Sequence, residues 1–276
     1  MYLADQDRRH YDEHGYVLLA DLFSPEEVAT LKQQIPIEAS VAGPRAVLES
    51  DGRTVRAIHG SHATNGAFDR MVRHPRLVKP AEQVLGSPVY VHQFKINVKA
   101  AFAGDVWKWH QDFIFWLKQD GMREPRAINA MVFLDDVTEF NGPLLIVPGS
   151  HRVGVIDLPD QPQKDGDWTA SFAADLKYAI TNEMLADLVS RNGIVAPKGR
   201  AGAVLFTHCN VVHGSAPNMS PFNRALAIVT YNSVENVLLP VESPRPEFLV
   251  SRQFDPITPV AEDALLANSI SGATMV

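Results

Sequence analysis

The spacing of apolar residues changes character near residue 87. Before it, residues 15–19 (Gly15-Tyr16-Val17-Leu18-Leu19) read as a short strand. Ser24-Pro25-Glu26-Glu27 then opens a helix reaching about Gln34: Ser24 can cap, Pro25 suits the first helical position, and Glu27 completes a capping box. A second helix spans 75–85 and stops at Gly86. Residues 36–66 mix Pro, Gly, Ser, His and charge without a sustained period, so they read as irregular, a candidate lid over a site. From Val89 onward short β-type runs alternate with turn residues, at 89–98, 127–134, 144–147, 203–206 and 226–234. Such a succession predicts a sandwich or jelly roll rather than alternating βαβ units. Residues 182–189 read as a helix and the polar stretch 160–171 as a surface insertion. The expectation is a mainly β fold with flanking α-helices in one domain over 1–276, with N-terminal helices to about 86 and a β core from about 87 to 250.

Composition narrows the class. Of 276 residues, 46% are apolar and 21% charged, which disfavours disorder. A net charge of −7 without any cluster of Lys and Arg argues against nucleic acid. One cysteine, Cys209, excludes an intramolecular disulfide and a thiolate-built metal site. The opening residues lack an apolar signal core and no window is apolar enough to span a bilayer, so a cytoplasmic protein is expected.

Candidate chemistry sits in Trp109-His110-Gln111-Asp112-Phe113. His110 and Asp112 follow a predicted strand, and His213 lies 101 residues past Asp112 in Val211-Val212-His213-Gly214-Ser215. Two imidazoles and a carboxylate on one face of a metal form the facial triad of non-haem Fe(II) oxygenases, which leaves positions for cosubstrate and O2. In an extended segment residues i and i+2 point to one side, so His110 and Asp112 are expected to share an ion while Gln111 faces away. His208 competes with His213, but five residues apart in extended chain the two face opposite sides. Arg224, 11 residues after His213, can follow the turn through Pro217-Asn218-Met219-Ser220-Pro221 into a neighbouring strand, where a guanidinium can grip a carboxylate bidentately. Gln93, Lys95 and Asn97 share one parity of their strand and face either solvent or a polar cavity. The aromatics Trp107, Trp109, Phe113, Phe115 and Trp116 either pack the core or wall a pocket.

With these residues in place the chain resembles the phytanoyl-CoA dioxygenase family, and within it the ectoine hydroxylase branch. The resemblance is carried by Asp12-Glu13-His14-Gly15-Tyr16-Val17, His92-Gln93-Phe94-Lys95-Ile96-Asn97, Trp109-His110-Gln111-Asp112-Phe113 and Trp116 with Asp120-Gly121-Met122. It continues through Phe140-Asn141-Gly142-Pro143-Leu144, Val147-Pro148-Gly149-Ser150-His151, Cys209-Asn210, His213-Gly214-Ser215 and Ser220-Pro221-Phe222-Asn223-Arg224. It implies a double-stranded β-helix of cupin type, Fe(II) on His110, Asp112 and His213, and 2-oxoglutarate on Arg224 and Ser215 with help from Gln93 and Asn97. It also implies O2 as second cosubstrate and substrate contacts from Trp116 and Arg245. Where ectoine hydroxylases read close to W-H-S-D-F-E-T-W-H, this chain carries Ile114, Phe115 and Leu117. A more apolar wall is therefore expected, suiting a free amino acid, an ectoine-like compound or a natural-product intermediate.

The expected reaction is hydroxylation of a small molecule with release of succinate and CO2. Because Asp112 is a carboxylate, no ligand position remains for chloride, which disfavours halogenation. The rival readings are a cupin-type binding protein without turnover and a zinc hydrolase on the same three ligands, which lacks an assigned general base. The oligomeric state stays open, with a homodimer as the option carried.

Overall fold

The computed structural model describes residues 1–158 and 176–267. Among them ten strands form two antiparallel sheets. The larger follows the order β1 (Tyr16–Leu19), β8 (Val204–His208), β6 (Ala127–Phe133), β10 (Arg224–Ser233), β4 (Val89–Lys99), β3 (Val55–His59), β2 (Ala46–Leu48). The smaller follows β5 (Trp107–His110), β9 (His213–Ser215), β7 (Leu144–Ile146). Helices α1 (Asp5–His14), α2 (Pro25–Lys32), α3 (Gln34–Val41), α4 (Gly66–Val72) and α5 (Pro75–Leu85) precede most of the sheet. The short α6 (Phe113–Phe115) and α7 (Asn182–Asn192) lie within the β region.

The period of two along the central strands sorts side chains onto two unlike faces. Phe94 and Ile96 of β4, Ile128, Ala130 and Val132 of β6, and Ala227, Val229 and Tyr231 of β10 are all buried against Leu31, Phe68, Met71 and Leu77 of the helices. Phe68 and Phe94 pack with ring centroids 5.3 Å apart, and the Tyr231 hydroxyl in this layer donates to the Val72 carbonyl at 2.7 Å. The opposite face presents Gln93, Lys95, Asn97 and Lys99 on β4, paired in register with Thr230, Ile228, Leu226 and Arg224 on β10. That face meets the smaller sheet, and the space between them is a cavity rather than solvent.

The capping box at the start of α2 forms as expected, with Glu27 N–H donating to Ser24 Oγ and Ser24 N–H to Glu27 Oε2. The segment 36–66 is not irregular. Helix α3 tolerates Pro36 because it falls in the first turn, where its missing N–H has no helical partner to lose. Strands β2 and β3 then extend the large sheet, with Ala57 opposite Asn97 and His59 opposite Lys95. These strands are too short to display a period in sequence and gain their pairing from β4. His59, at the end of β3, is fully buried. The stretch 160–171, read as a surface insertion, lies outside the described residues.

Truncating Phe94, which joins sheet to helices, should destabilise the protein by about 3–5 kcal/mol. Chemical denaturation of Phe94→Ala checks this; an unchanged midpoint would mean that the helical layer does not depend on that ring.

Candidate active site

Strand β5 pairs with β9 so that His110 stands directly opposite His213. Their ring centroids are 4.3 Å apart. Asp112 reaches the same point by a different route from the strand alternation expected of it. The chain leaves β5 at His110, and Asp112 takes helical backbone angles (φ −69°, ψ −39°) as the cap of α6. A turn, not strand parity, therefore carries the carboxylate inward. His110 Nε2 lies 3.6 Å from Asp112 Oδ1, His213 Nε2 lies 3.8 Å from Oδ2, and the potential ligand atoms of all three lie within 4.8 Å of one another.

Each histidine is held by its other nitrogen. His110 Nδ1 contacts the Lys108 carbonyl at 2.6 Å and His213 Nδ1 the Val211 carbonyl at 3.0 Å. A carbonyl only accepts, so Nδ1 carries the proton and Nε2 presents a lone pair to the shared point. Burial, with His110 adding to it, pushes the His213 pKa down to about 4, which keeps the imidazole neutral. Burial alone would raise the Asp112 carboxyl, but His213, His110 and Lys95 outweigh it and hold the group well below the usual carboxylate range. Two imidazoles and one carboxylate, clustered on one side of an open cavity, fit a divalent iron with vacant positions.

Two side chains that sequence reasoning did not assign fix this cluster. Asn129 Nδ2 donates to Asp112 Oδ2 at 2.8 Å, while Thr230 Oγ donates to Asn129 Oδ1 at 2.6 Å and so sets the amide's orientation. A lone Asn in the apolar run Ala127-Ile128-Asn129-Ala130-Met131 was the available signal. Gln111 faces away from the cluster, as expected, and ties its turn to two other segments, around 154–156 and at Asn210. It donates to the Gly154 and Asn210 carbonyls at 2.8 and 2.7 Å and accepts from Ile156 N–H at 2.9 Å.

The triad separates two cavities that share Lys95, Trp107, His110 and Asp112. The inner one, about 430 Å³, brings together Asn97, Ser215 and Arg224 with the apolar Met131, Leu144 and Ile228. Arg224 is 1% exposed, its Nε has no hydrogen-bond partner, and burial lowers its pKa to about 10. A guanidinium so placed remains charged and calls for an anion. Asn97 Oδ1 is likewise buried without a partner. The outer cavity, about 320 Å³, is lined by Gln93, Phe115, Trp116 and Arg245. Gln93 thus opens on the side opposite Arg224, and its amide donates to the Leu249 carbonyl at 3.1 Å. Arg245 is held by buried Asp120 through Nε at 2.8 Å and Nη2 at 2.6 Å. Asp120 ends a widened π-helical turn over Trp116–Asp120, and His92 stacks edge-on against Trp116 at 5.1 Å.

Of the three apolar replacements expected to form the pocket wall, only Phe115 reaches the cavity. Ile114 is buried in the core beside it and Leu117 is 37% exposed. α6 directs one side of its single turn inward, a phase not readable from the sequence. His208 stays away from the triad. Its Nδ1 accepts from Asn210 N–H at 3.0 Å and its ring lies 5.1 Å from that of His151.

The family model for phytanoyl-CoA dioxygenase (PhyH) matches residues 11–226, most of the chain and all three members of the triad. This chain belongs to the phytanoyl-CoA dioxygenase family. It is 40% identical over 257 residues to L-proline trans-4-hydroxylase of Streptomyces griseoviridis, covering 92% of this chain and 95% of that protein. It is 39% identical over 258 residues to an ectoine dioxygenase of Bordetella bronchiseptica, covering 91% and 82%. EctD from S. alaskensis, solved with 2-oxoglutarate and 5-hydroxyectoine, superposes with a TM-score of 0.78 at 35% identity, covering 91% of this chain and 84% of EctD. The same protein solved with bound Fe also gives 0.78. The two sheets are accordingly the double-stranded β-helix, and this protein is an Fe(II)- and 2-oxoglutarate-dependent dioxygenase that hydroxylates a small molecule.

Asn129→Ala should weaken iron binding by about tenfold to a hundredfold, because the Asp112 carboxylate loses the amide that aims it. Anaerobic metal titration of wild type and variant measures the effect. Equal affinities would show that Asn129 contributes nothing to the site.

Proposed function

We propose that this dioxygenase hydroxylates a compact free amino acid or cyclic imino acid, using iron held by His110, Asp112 and His213. The observation that carries the reading is the convergence of three ligand atoms between two cavities, the inner one ending on a buried guanidinium whose Nε has no hydrogen-bond partner. That inner cavity suits 2-oxoglutarate. Arg224 and the Ser215 hydroxyl would hold its distal carboxylate, and Asn97 would add a further polar contact.

The outer cavity suits the substrate. It is small and walled on several sides, which suits a compact substrate such as a single ring with one or two charged groups. Trp116 and Phe115 wall it with aromatic faces, while Gln93, Lys95 and Arg245 supply polar and cationic contacts for a carboxylate. An imino acid combines such a carboxylate with an apolar ring edge, and the similarity to L-proline trans-4-hydroxylase over nearly the full length of both chains supports the same class. Bound iron and 2-oxoglutarate supply the oxidation, in which one atom of O2 enters the substrate C–H bond and the other enters succinate as CO2 is lost. The protein's own share is to aim the carboxylate of Asp112 through Asn129, anchor the cosubstrate through Arg224, and exclude water with Trp107, Phe115 and Trp116. No helix among the described residues is long and apolar enough to cross a membrane. A single cysteine and a need for ferrous iron support a cytoplasmic setting.

Succinate release with Fe(II), ascorbate and 2-oxoglutarate should rise on adding L-proline or a related imino acid more than on adding ectoine, with a product 16 mass units heavier. Failure of every amino and imino acid to stimulate turnover, with ectoine active, would contradict the substrate class. In the same assay Asp112→Ala should bind no iron, and Arg224→Ala should raise the 2-oxoglutarate KM by about tenfold to a hundredfold with a smaller change in substrate KM. A normal 2-oxoglutarate KM in Arg224→Ala would remove that residue from the cosubstrate site.

A further inference from the structure

Lys99 and Arg224 are direct cross-strand partners on β4 and β10, and each is 1% exposed. Like charges set opposite one another in a sheet repel, and burial adds a desolvation cost for each. Among the described residues neither forms an ion pair, and two of the nearest carboxylates are bonded elsewhere. Glu49 is bonded to Arg56 at 2.8 Å, and Asp135 is engaged by Lys32 and by Ala225 N–H. The chain nevertheless makes room for Lys99: a Cβ on Gly104 would lie 2.2 Å from Lys99 Cγ, and one on Gly142 2.7 Å from Lys99 Cδ. Threaded between these glycines, Nζ donates to Ser215 Oγ at 2.7 Å and to the Ala216 carbonyl at 2.5 Å. Ser215 lines the same cavity as Arg224.

We propose that Lys99 is a positioning residue for the anionic cosubstrate: its ammonium occupies a lone pair of Ser215 Oγ, turning the hydroxyl proton toward the carboxylate that Arg224 faces. The inference rests on the assignment of the inner cavity to 2-oxoglutarate. A hydroxyl has one proton and accepts through its lone pairs, so the state of Nζ decides which way the proton points. An ammonium can only donate, which leaves the Ser215 proton for the ligand. A neutral amine can accept that proton and withdraw it from the cavity.

Desolvation works against the ammonium wherever no anion offsets it. Burial, then Arg224 and Arg56, push Lys99 down to about 6 against the opposing pull of Glu49 and Asp105. An entering carboxylate restores the ammonium, so binding takes up a proton. Below pH 6 the ammonium is already present and affinity is full. Above pH 6 each binding event must bring a proton, and affinity falls by up to about tenfold per pH unit until the pKa of the complex is passed.

The test is anaerobic calorimetric titration of the Fe(II)-loaded protein with 2-oxoglutarate at pH 6, 7 and 8, in buffers of different ionisation enthalpy. Wild type should weaken with rising pH and take up close to one proton at pH 8. Lys99→Met should bind about tenfold or more weakly at pH 6, lose the pH slope, and take up no proton. Its effect should shrink in a Ser215→Ala background, because Lys99 acts through that hydroxyl. Melting temperature and iron stoichiometry report the fold. If Lys99→Met fails to fold, Lys99→Gln, which keeps a donor without a titrating charge, should give the same flat profile. Wild-type affinity with an unchanged pH slope in either variant, or full additivity with Ser215→Ala, overturns the inference. Absence of 2-oxoglutarate binding by wild type overturns the functional reading instead.

Discussion

The pairing of β5 with β9, which sets His110 opposite His213, is the constraint on which the site depends. Neither histidine could be fixed by its own strand, since these have four and three residues. The register of two short strands, completed by β7 on the other side of β9, turns two distant positions into neighbours. Asp112 then needs only one helical turn to join them, and Gln111, between the two ligands, holds that turn through three backbone hydrogen bonds.

The larger sheet supplies what the smaller cannot. Its outer face is apolar and covered by helices, so that burial stabilises the platform without reference to chemistry. Its inner face can then carry costly groups: Asn129 against Asp112, Arg224 and Lys99 side by side, and Lys95 between the two cavities. Buried cations of this kind destabilise a fold unless a ligand or partner compensates them, which is why they concentrate where an anion is to bind.

Much of this was legible in the chain. The motif around His110, the spacing of Arg224 and the parity of Gln93, Lys95 and Asn97 follow from local geometry, because a strand alternates strictly and the polar set on β4 had only two possible destinations. Positions decided by tertiary contact were less legible. Strands β2 and β3 owe their existence to pairing with β4, and the burial of His59 follows from that pairing. Gln93 and Arg224 occupy one face of the sheet yet open on different cavities, because the triad and Trp107 stand between them. Arg245, far along the chain, is held at the site by its ion pair with Asp120. Neither the single inward side of α6 nor the hold of Thr230 on Asn129 has any counterpart in residue spacing.

The most direct measurement is a structure of the protein loaded anaerobically with Fe(II) and 2-oxoglutarate. The account predicts one iron bound by His110 Nε2, Asp112 and His213 Nε2, with the distal carboxylate of 2-oxoglutarate against Arg224. Iron bound elsewhere, or a cosubstrate lying in the cavity of Trp116 and Arg245 with Arg224 uncontacted, would contradict it.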